Sequence, residues 1–441
     1  MVRPPTPPNL CLRCKGGRNL CGKPVCPILL KTSLLKSIHP IGINSVERDR
    51  DLEGLSPPGF FVGHYGYPRV NVGPLVPVGN PDPEKAAIMD APSCWFGKDM
   101  SEIITYRSQL VRTAFVSEVI PKKGMLNNEI SRLLATAQEL AMGSRPVGVE
   151  THLEKIRVTL QMDNHTQPMG PIGIMDRLQI TENVPVHPVV DYVVGDTDLL
   201  ASEAISEYLF KDAHLPLEQI QRVLSAGLLG RKKNRRLVPT RWAITAVDDT
   251  ISKAMVDLIR QFPQIDQYYV FHQYYLGNKF YILMAPGTWS FEMMEVWAPN
   301  SLWNVAAPGE QYHPKFQVNG DFEFERGRTK YADNVTGAYY AARKEVCDFL
   351  LRIRRQAKCI LFREVDNSYV VPLGVWVIRE TVKHALASPK PEIHESLANA
   401  LGAIKPYLVV PWQVYYKTSK ILPLLQTQRT LDQFLKRQAS S

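Results

Sequence analysis

Proline is distributed very unevenly along this chain: fifteen of its 34 prolines fall within the first 92 residues. Each one fixes its own φ and removes a backbone donor, so a segment this rich in proline cannot be built from long helices. The stretch Ser56-Pro57-Pro58-Gly59-Phe60-Phe61-Val62-Gly63-His64-Tyr65-Gly66-Tyr67-Pro68 therefore reads as turns and short extended pieces. Helical spacing begins beyond it. Leu126, Ile130, Leu133, Leu134, Ala137, Leu140 and Ala141 recur at helical intervals and stop at Gly143. Ile156, Val158, Leu160 and Met162 alternate as in a half-buried strand. Further helices are predicted over 198–211, 216–228 and 248–261, the last opened by Asp248 or Asp249. From about residue 265 the texture changes to Tyr-, Phe-, Trp- and Val-rich strands at 267–276, 279–285, 289–297 and 369–377, interrupted by one long helix near 335–355. The pattern predicts an α+β fold, a mixed body of two interlocked halves meeting near 255–265, with no internal repeat.

With 441 residues the chain can bury a large core and divide into two or three domains. Its 45% apolar and 22% charged composition is that of a globular protein, and no apolar run approaches the length needed to cross a bilayer. The start, Met1-Val2-Arg3-Pro4-Pro5, has no apolar signal core, so a cytoplasmic location is expected. A net charge of +9 favours anionic partners, but 43 acidic residues dilute it, so binding to nucleic acid has to come from a local patch.

Four of the seven cysteines lie in the first 26 residues, at Cys11, Cys14, Cys21 and Cys26. The spacing Cys-x2-Cys-x6-Cys-x4-Cys, with Gly16, Gly17 and Gly22 to reverse the chain, lets four thiolates close a tetrahedron around zinc. A redox pair is the weaker reading, since prolines rather than a strand-to-helix junction precede it. With four protein ligands the zinc would be structural. Arg13, Lys15, Arg18 and Lys23 surround it with no acidic residue before Glu47, so the module either touches phosphate or is a solvated cationic staple. Cys347 and Cys359 sit in apolar stretches and are read as small hydrophobes.

At the other end, Gln428, Leu431, Phe434 and Leu435 follow the order Gln-x-x-Leu-x-x-Phe-Leu, the layout of a sliding-clamp ligand. Spacings of three and four put the three hydrophobes on one side of a tight helical turn, a plug that needs a partner pocket. Pro423 before it and the polar end Gln438-Ala439-Ser440-Ser441 after it favour a flexible recruiting tail over a last helix folded back on the body. Many such motifs carry a second aromatic where Leu435 stands.

Within the body, Arg231, Lys232, Lys233, Arg235 and Arg236 form the densest positive run, readable as a nucleic-acid contact or as a solvated loop. Arg352, Arg354, Arg355 and Lys358 form a second set near a predicted helix end, where they also complement the helix dipole. Tyr65, Tyr67 and Trp242 can stack on bases, although aromatics in such segments are more often core. Asp248 and Asp249 are metal candidates or a helix cap. Asp321, Glu323 and Glu325 alternate along a strand, as a metal or acid–base surface or as the wet side of an edge strand. Arg343, Arg363, Arg379 and Glu380 stand in apolar contexts, which points to a buried Arg–carboxylate network or to a phosphate pocket that His64 and Tyr65 could share. No phosphate loop, dinucleotide fingerprint, His-Glu-x-x-His or Gly-x-Ser-x-Gly is present, which takes support from ATP-driven helicase, dinucleotide oxidoreductase and common hydrolase readings.

Several stretches resemble the archaeal Nre family of DNA repair proteins: the four-cysteine start, Pro57–Pro68, Arg236–Ser252, Gly337–Arg343 and Pro372–Glu380. The resemblance spans nearly the whole chain and divides it into a zinc module over 1–31, an Nre N-terminal region over 32–260, an Nre C-terminal region over 261–420 and a clamp-binding tail over 423–441. It implies a DNA repair factor of archaeal origin, recruited to DNA by the clamp (proliferating cell nuclear antigen, PCNA), while Zn as cofactor is expected from the cysteine spacing. The rival readings are a repair enzyme with an Arg, Glu and His pocket in the 240–380 body, and an adaptor that never touches DNA. No catalytic residues carry across from the family.

Overall fold

The computed structural model describes residues 50–120, 128–157, 166–297, 318–366, 368–369, 371–387 and 391–427. The chain separates into two compact units, the first drawn from 25–251 together with Val371–Val377, the second chiefly from 252–370 and 378–441.

The first unit is built on six strands, β1 (Asp51–Ser56), β2 (Phe60–Val62), β3 (Arg69–Pro77), β4 (Leu110–Glu118), β5 (Val147–Arg157) and β6 (Ile172–Ile180), in the order β1-β5-β6-β4-β3-β2. Only β4 and β6 run parallel, so only that pair needs a long crossover. Over 50–92, the described part of the proline-rich start, the chain forms strands, turns and one short helix, in line with its composition. Its helices are α1 (Pro83–Ile88), α2 (Met100–Ser108), α3 (Asn128–Met142), α4 (Pro188–Gly195), α5 (Ala201–Glu203), which continues as a π-helix over Ala204–Asp212, and α6 (Leu217–Ser225). Helix α3 follows the expected spacing, and its Leu133, Leu134, Ala137, Leu140 and Ala141 join Val72, Val111 and Leu153 in one core.

Of the strand expected along Ile156, Val158, Leu160 and Met162, Ile156 lies in β5, which begins upstream at Val147, and 158–165 lie outside the described residues. One sequence expectation is corrected here. The run 369–377 is not a strand. Val371–Val377 belongs to the first unit, where Gly374, at φ +96°, comes so close to Thr166 that a Cβ would lie 2.7 Å from its carbonyl. Trp376 meets Trp95 edge-on, with ring centroids 5.1 Å apart, and donates its indole N–H to the Leu373 carbonyl at 2.7 Å. A Val-rich run looks like a strand because burial on both sides selects the same residues in either conformation.

The chain passes between units inside α7 (Thr240–Ile259). The second unit holds β7 (Tyr268–Tyr275), β8 (Asn278–Ala285), β9 (Ser290–Trp297), β10 (Val318–Glu323), β11 (Lys358–Val365) and β12 (Glu392–His394), in the order β10-β9-β11-β8-β7-β12. The aromatic and β-branched strands fall where expected. Leu276 and Gly277, both at positive φ, make the two-residue turn between β7 and β8. Strands β9 and β11 are the parallel pair, and α8 (Gly337–Ile353) lies in the crossover between them. The remaining helices are α9 (Trp376–Leu386), α10 (Leu397–Ile404), α11 (Trp412–Thr418) and α12 (Leu422–Thr427).

Two buried carboxylates moor the last helices to this sheet. Glu364 on β11 accepts from the backbone N–H groups of Val409 and Val410 and from the Tyr415 hydroxyl, each at 3.0 Å. Glu292 on β9 accepts from the Ser419 hydroxyl and from the N–H groups of Lys420 and Ile421. Burial nevertheless pushes the Glu292 carboxyl above its ordinary range.

Candidate nucleic-acid interface

Strands β2 and β3 are joined by the glycine-punctuated turn Gly63–Pro68. Gly66 sits at φ +81°, and the Arg69 N–H closes onto its carbonyl at 2.9 Å, so the loop folds tightly on itself. Two further bonds fix its base: Gly63 N–H to the Asn71 carbonyl at 2.8 Å and Val62 N–H to the Thr240 hydroxyl at 2.9 Å. Thr240 begins α7, so the first turn of that helix delivers Arg241 and Trp242 beside the loop.

Two aromatic pairs result. The His64 and Tyr65 rings lie 4.0 Å apart at 35°, and those of Tyr67 and Trp242 lie 5.3 Å apart at 55°. Arg241 Nη1 lies 3.3 Å from His64 Nε2. Tyr65 is 81% exposed, Tyr67 45% and Trp242 47%. The expectation that such aromatics belong to the core is corrected: these three lie at the surface, and they lie together. Single exposed hydrophobics are ordinary, whereas a contiguous group of large rings marks an interaction surface.

The basic run is attached to the same edge. Leu237 donates its N–H to the Val119 carbonyl, and Val119 donates to the Pro68 carbonyl, both at 2.9 Å. Two strand spacings, roughly 10 Å, therefore separate the end of the run from the aromatic turn. Arg231, Lys232, Lys233 and Arg236 are exposed. Arg235 is turned inward and spends its guanidinium on the carbonyls of Gly230, Val194 and Asp196 at 2.7, 2.7 and 2.6 Å. Its desolvation pulls the guanidinium below its ordinary pKa. The run is thus a cationic loop pinned by one of its own arginines, with four cations facing water.

Several of the other sequence candidates have structural employment. Asp248 is not a helix cap: α7 starts eight residues earlier, and Asp248 is buried in its interior. The helix begins early because Pro239 provides its first free carbonyl, accepting from Trp242 and Ala243. The acidic triad is not one wet face either. Asp321 accepts from the N–H groups of Asn334 and Val335 and from Arg328, Glu323 is buried, and Glu325 lies past the strand end. The Arg–carboxylate network is present. Arg343 donates to Glu323 at 2.7 Å and to the Ser252 hydroxyl at 2.9 Å, Glu323 also receives the Trp289 indole N–H at 3.0 Å, and Arg363 pairs with Glu295. These groups are directed at each other inside the unit. Arg352 donates to the Leu386 carbonyl, and Arg354 caps α8 at φ +53°, matching the structural reading of the second basic set. Cys347 and Cys359 are buried, and burial raises both thiols.

Sequence reasoning passed over a small cavity of about 40 Å³ behind β2, lined among others by Phe60, Arg107, Gln221, Arg222 and Ser225. The Gln221 Nε2 and Ser225 Oγ atoms find no protein partner there, and the space suits ordered water. The signal was available in Gln221, Arg222 and Ser225, polar residues on the buried side of α6.

Cys11, Cys14, Cys21 and Cys26, and the tail residues Gln428, Leu431, Phe434 and Leu435, lie outside the described residues. Among the described residues no group of three or more His, Cys, Asp or Glu is arranged to hold a metal, and no helix is long and apolar enough to cross a membrane.

Fold and surface together define an α+β protein of two mixed six-stranded sheets, one of which carries an aromatic and basic edge. The chain belongs to the archaeal Nre family: the family model described as Archaeal Nre, N-terminal matches residues 20–304, and that described as Archaeal Nre, C-terminal matches 323–434. It is 36% identical over 393 residues to DNA repair protein NreA of Archaeoglobus fulgidus, covering 89% of this chain and 92% of that one. DNA repair protein NreB of the same organism is also 36% identical over 393 residues, 89% of this chain and 91% of its own. DNA repair protein NreA of Haloferax volcanii is 32% identical over 388 residues, 87% and 89% of the two chains. No solved structure matches.

Proposed function

We propose that this protein is a DNA repair factor that contacts DNA through the edge formed by Tyr65, Tyr67, Trp242 and the run Arg231, Lys232, Lys233 and Arg236. The relatives named DNA repair proteins support the process, and the observation that carries the contact is the meeting of exposed rings with four outward cations on one edge. Arg235 is the strut of that loop rather than a contact. In this proposal Cys11, Cys14, Cys21 and Cys26 hold a structural zinc that folds the N-terminus, and Gln428, Leu431, Phe434 and Leu435 dock on PCNA in the cytoplasm. The tail acts by raising local concentration at sites of synthesis or repair.

A salt titration of DNA binding by the full-length protein tests the contact. Replacing Arg231, Lys232, Lys233 and Arg236 by alanine should flatten the slope of log affinity against log salt by roughly 0.7 to 0.9 for each phosphate that is no longer neutralised. An unchanged slope sinks the assignment. Calorimetry with the clamp tests the tail: Leu431→Ala with Phe434→Ala should abolish binding, and equal binding by both proteins would make the tail a packed helix.

A further inference from the structure

We infer that this edge takes unpaired nucleotides, with bases stacked on Tyr65 and on the Tyr67–Trp242 pair while the cationic run follows the phosphates. The inference rests on the DNA-contacting reading above and names the class of strand. Phosphates of an intact duplex can be gripped by arginine and lysine alone, and the faces of paired bases are closed off within their own stack. Large exposed rings gain nothing from such a ligand. They gain from bases whose faces are open, and base–aromatic stacking tolerates any sequence because every base offers a π-face.

Three observations favour a stacking platform over a loosely exposed patch. First, the rings are preset: three hydrogen bonds, Arg69 to Gly66, Gly63 to Asn71 and Val62 to Thr240, hold the turn, so little ordering is left to be done on binding. Second, Tyr65 is 81% exposed although its ring centroid lies 4.0 Å from that of His64. Third, His64, Tyr65 and Tyr67 lie on one turn of six residues, Trp242 meets Tyr67 from the first turn of α7, and the pinned run Arg231–Arg236 ends two backbone hydrogen bonds away. A strand laid along this edge meets π-faces at one end and four cations at the other. A protein partner would use the rings, but it would leave Arg231, Lys232, Lys233 and Arg236 without a counterpart unless it were strongly acidic.

The test compares three probes on the full-length protein by fluorescence anisotropy: a labelled single strand of about 12 nucleotides, the abasic strand of equal length and phosphate count, and a blunt duplex. The wild type should prefer the base-bearing single strand to the abasic one by at least about fivefold. Tyr65→Ala with Trp242→Ala should erase that preference while leaving abasic binding and the salt slope in place. Tyr65→Phe, which keeps the ring, should behave as wild type and controls for misfolding. Equal binding of all three probes by the wild type overturns the inference while the DNA-contacting reading stands. A preference that survives the double substitution overturns it as well, because the stacking then lies elsewhere. Failure to bind any of the three probes overturns both readings.

Discussion

Arg343 and Glu323 are both nearly inaccessible to water and are paired with each other. Removing one partner strands the other charge, so Arg343→Met should cost about 3–5 kcal/mol in denaturant unfolding. A loss under about 1 kcal/mol would mean that the pair is hydrated. Glu380 makes a second residue-level test. Burial holds its carboxyl above the ordinary range, against the partial relief of Lys383. A carboxyl whose folded pKa is raised contributes stability below its unfolded pKa and loses it as pH rises through the folded value. Glu380→Gln should therefore gain in thermal midpoint over wild type at pH 8, and the gain should shrink toward pH 5. A gap that is constant with pH would place the cost elsewhere. The sequence announced both residues, since a charge in an apolar run must find a partner or be neutralised. What it did not reveal was direction. Nothing in Asp-Asp at 248–249 distinguishes a cap from a helix interior, because the helix start depends on Pro239 and on the bond from Val62, which is 178 positions away from Thr240.

At the scale of elements, regular periodicity was a dependable guide. Helices α3 and α8 and strands β7, β8 and β9 lie close to where spacing and aromatic content put them. The run 369–377 misled because Val371, Val375, Trp376 and Val377 are selected by burial rather than by a ladder. The aromatic turn was legible as a turn but not as a surface, since exposure depends on what packs over it. Gly66 is the element's fixed point: a Cβ there would lie 2.7 Å from the Arg69 carbonyl, at a φ that L-residues resist. Gly66→Ala should weaken single-strand binding severalfold while costing only about 1–2 kcal/mol of global stability, measured by anisotropy and urea unfolding. Unaltered binding would mean that the rings need no preset turn.

For the whole molecule, the boundary between family models and the boundary between compact units do not coincide. The N-terminal family model ends at residue 304, yet the unit containing β1 to β6 includes Val371–Val377. A chain stopped at 304 lacks Trp376 and leaves Trp95, otherwise fully buried, without its edge-on neighbour. We expect it to lose near-ultraviolet circular dichroism and to be cleaved quickly by protease, and a peptide spanning 366–387 added in trans to restore part of both. A stable, fully dichroic fragment would show that the segment is dispensable. The same borrowed segment sets a clock on biosynthesis. The first 251 residues leave the ribosome well before residue 377 is made, an interval on the order of ten seconds at usual rates of elongation. During that interval the earlier unit lacks the Trp376 ring that meets Trp95, and its own later sequence has to arrive before that contact closes.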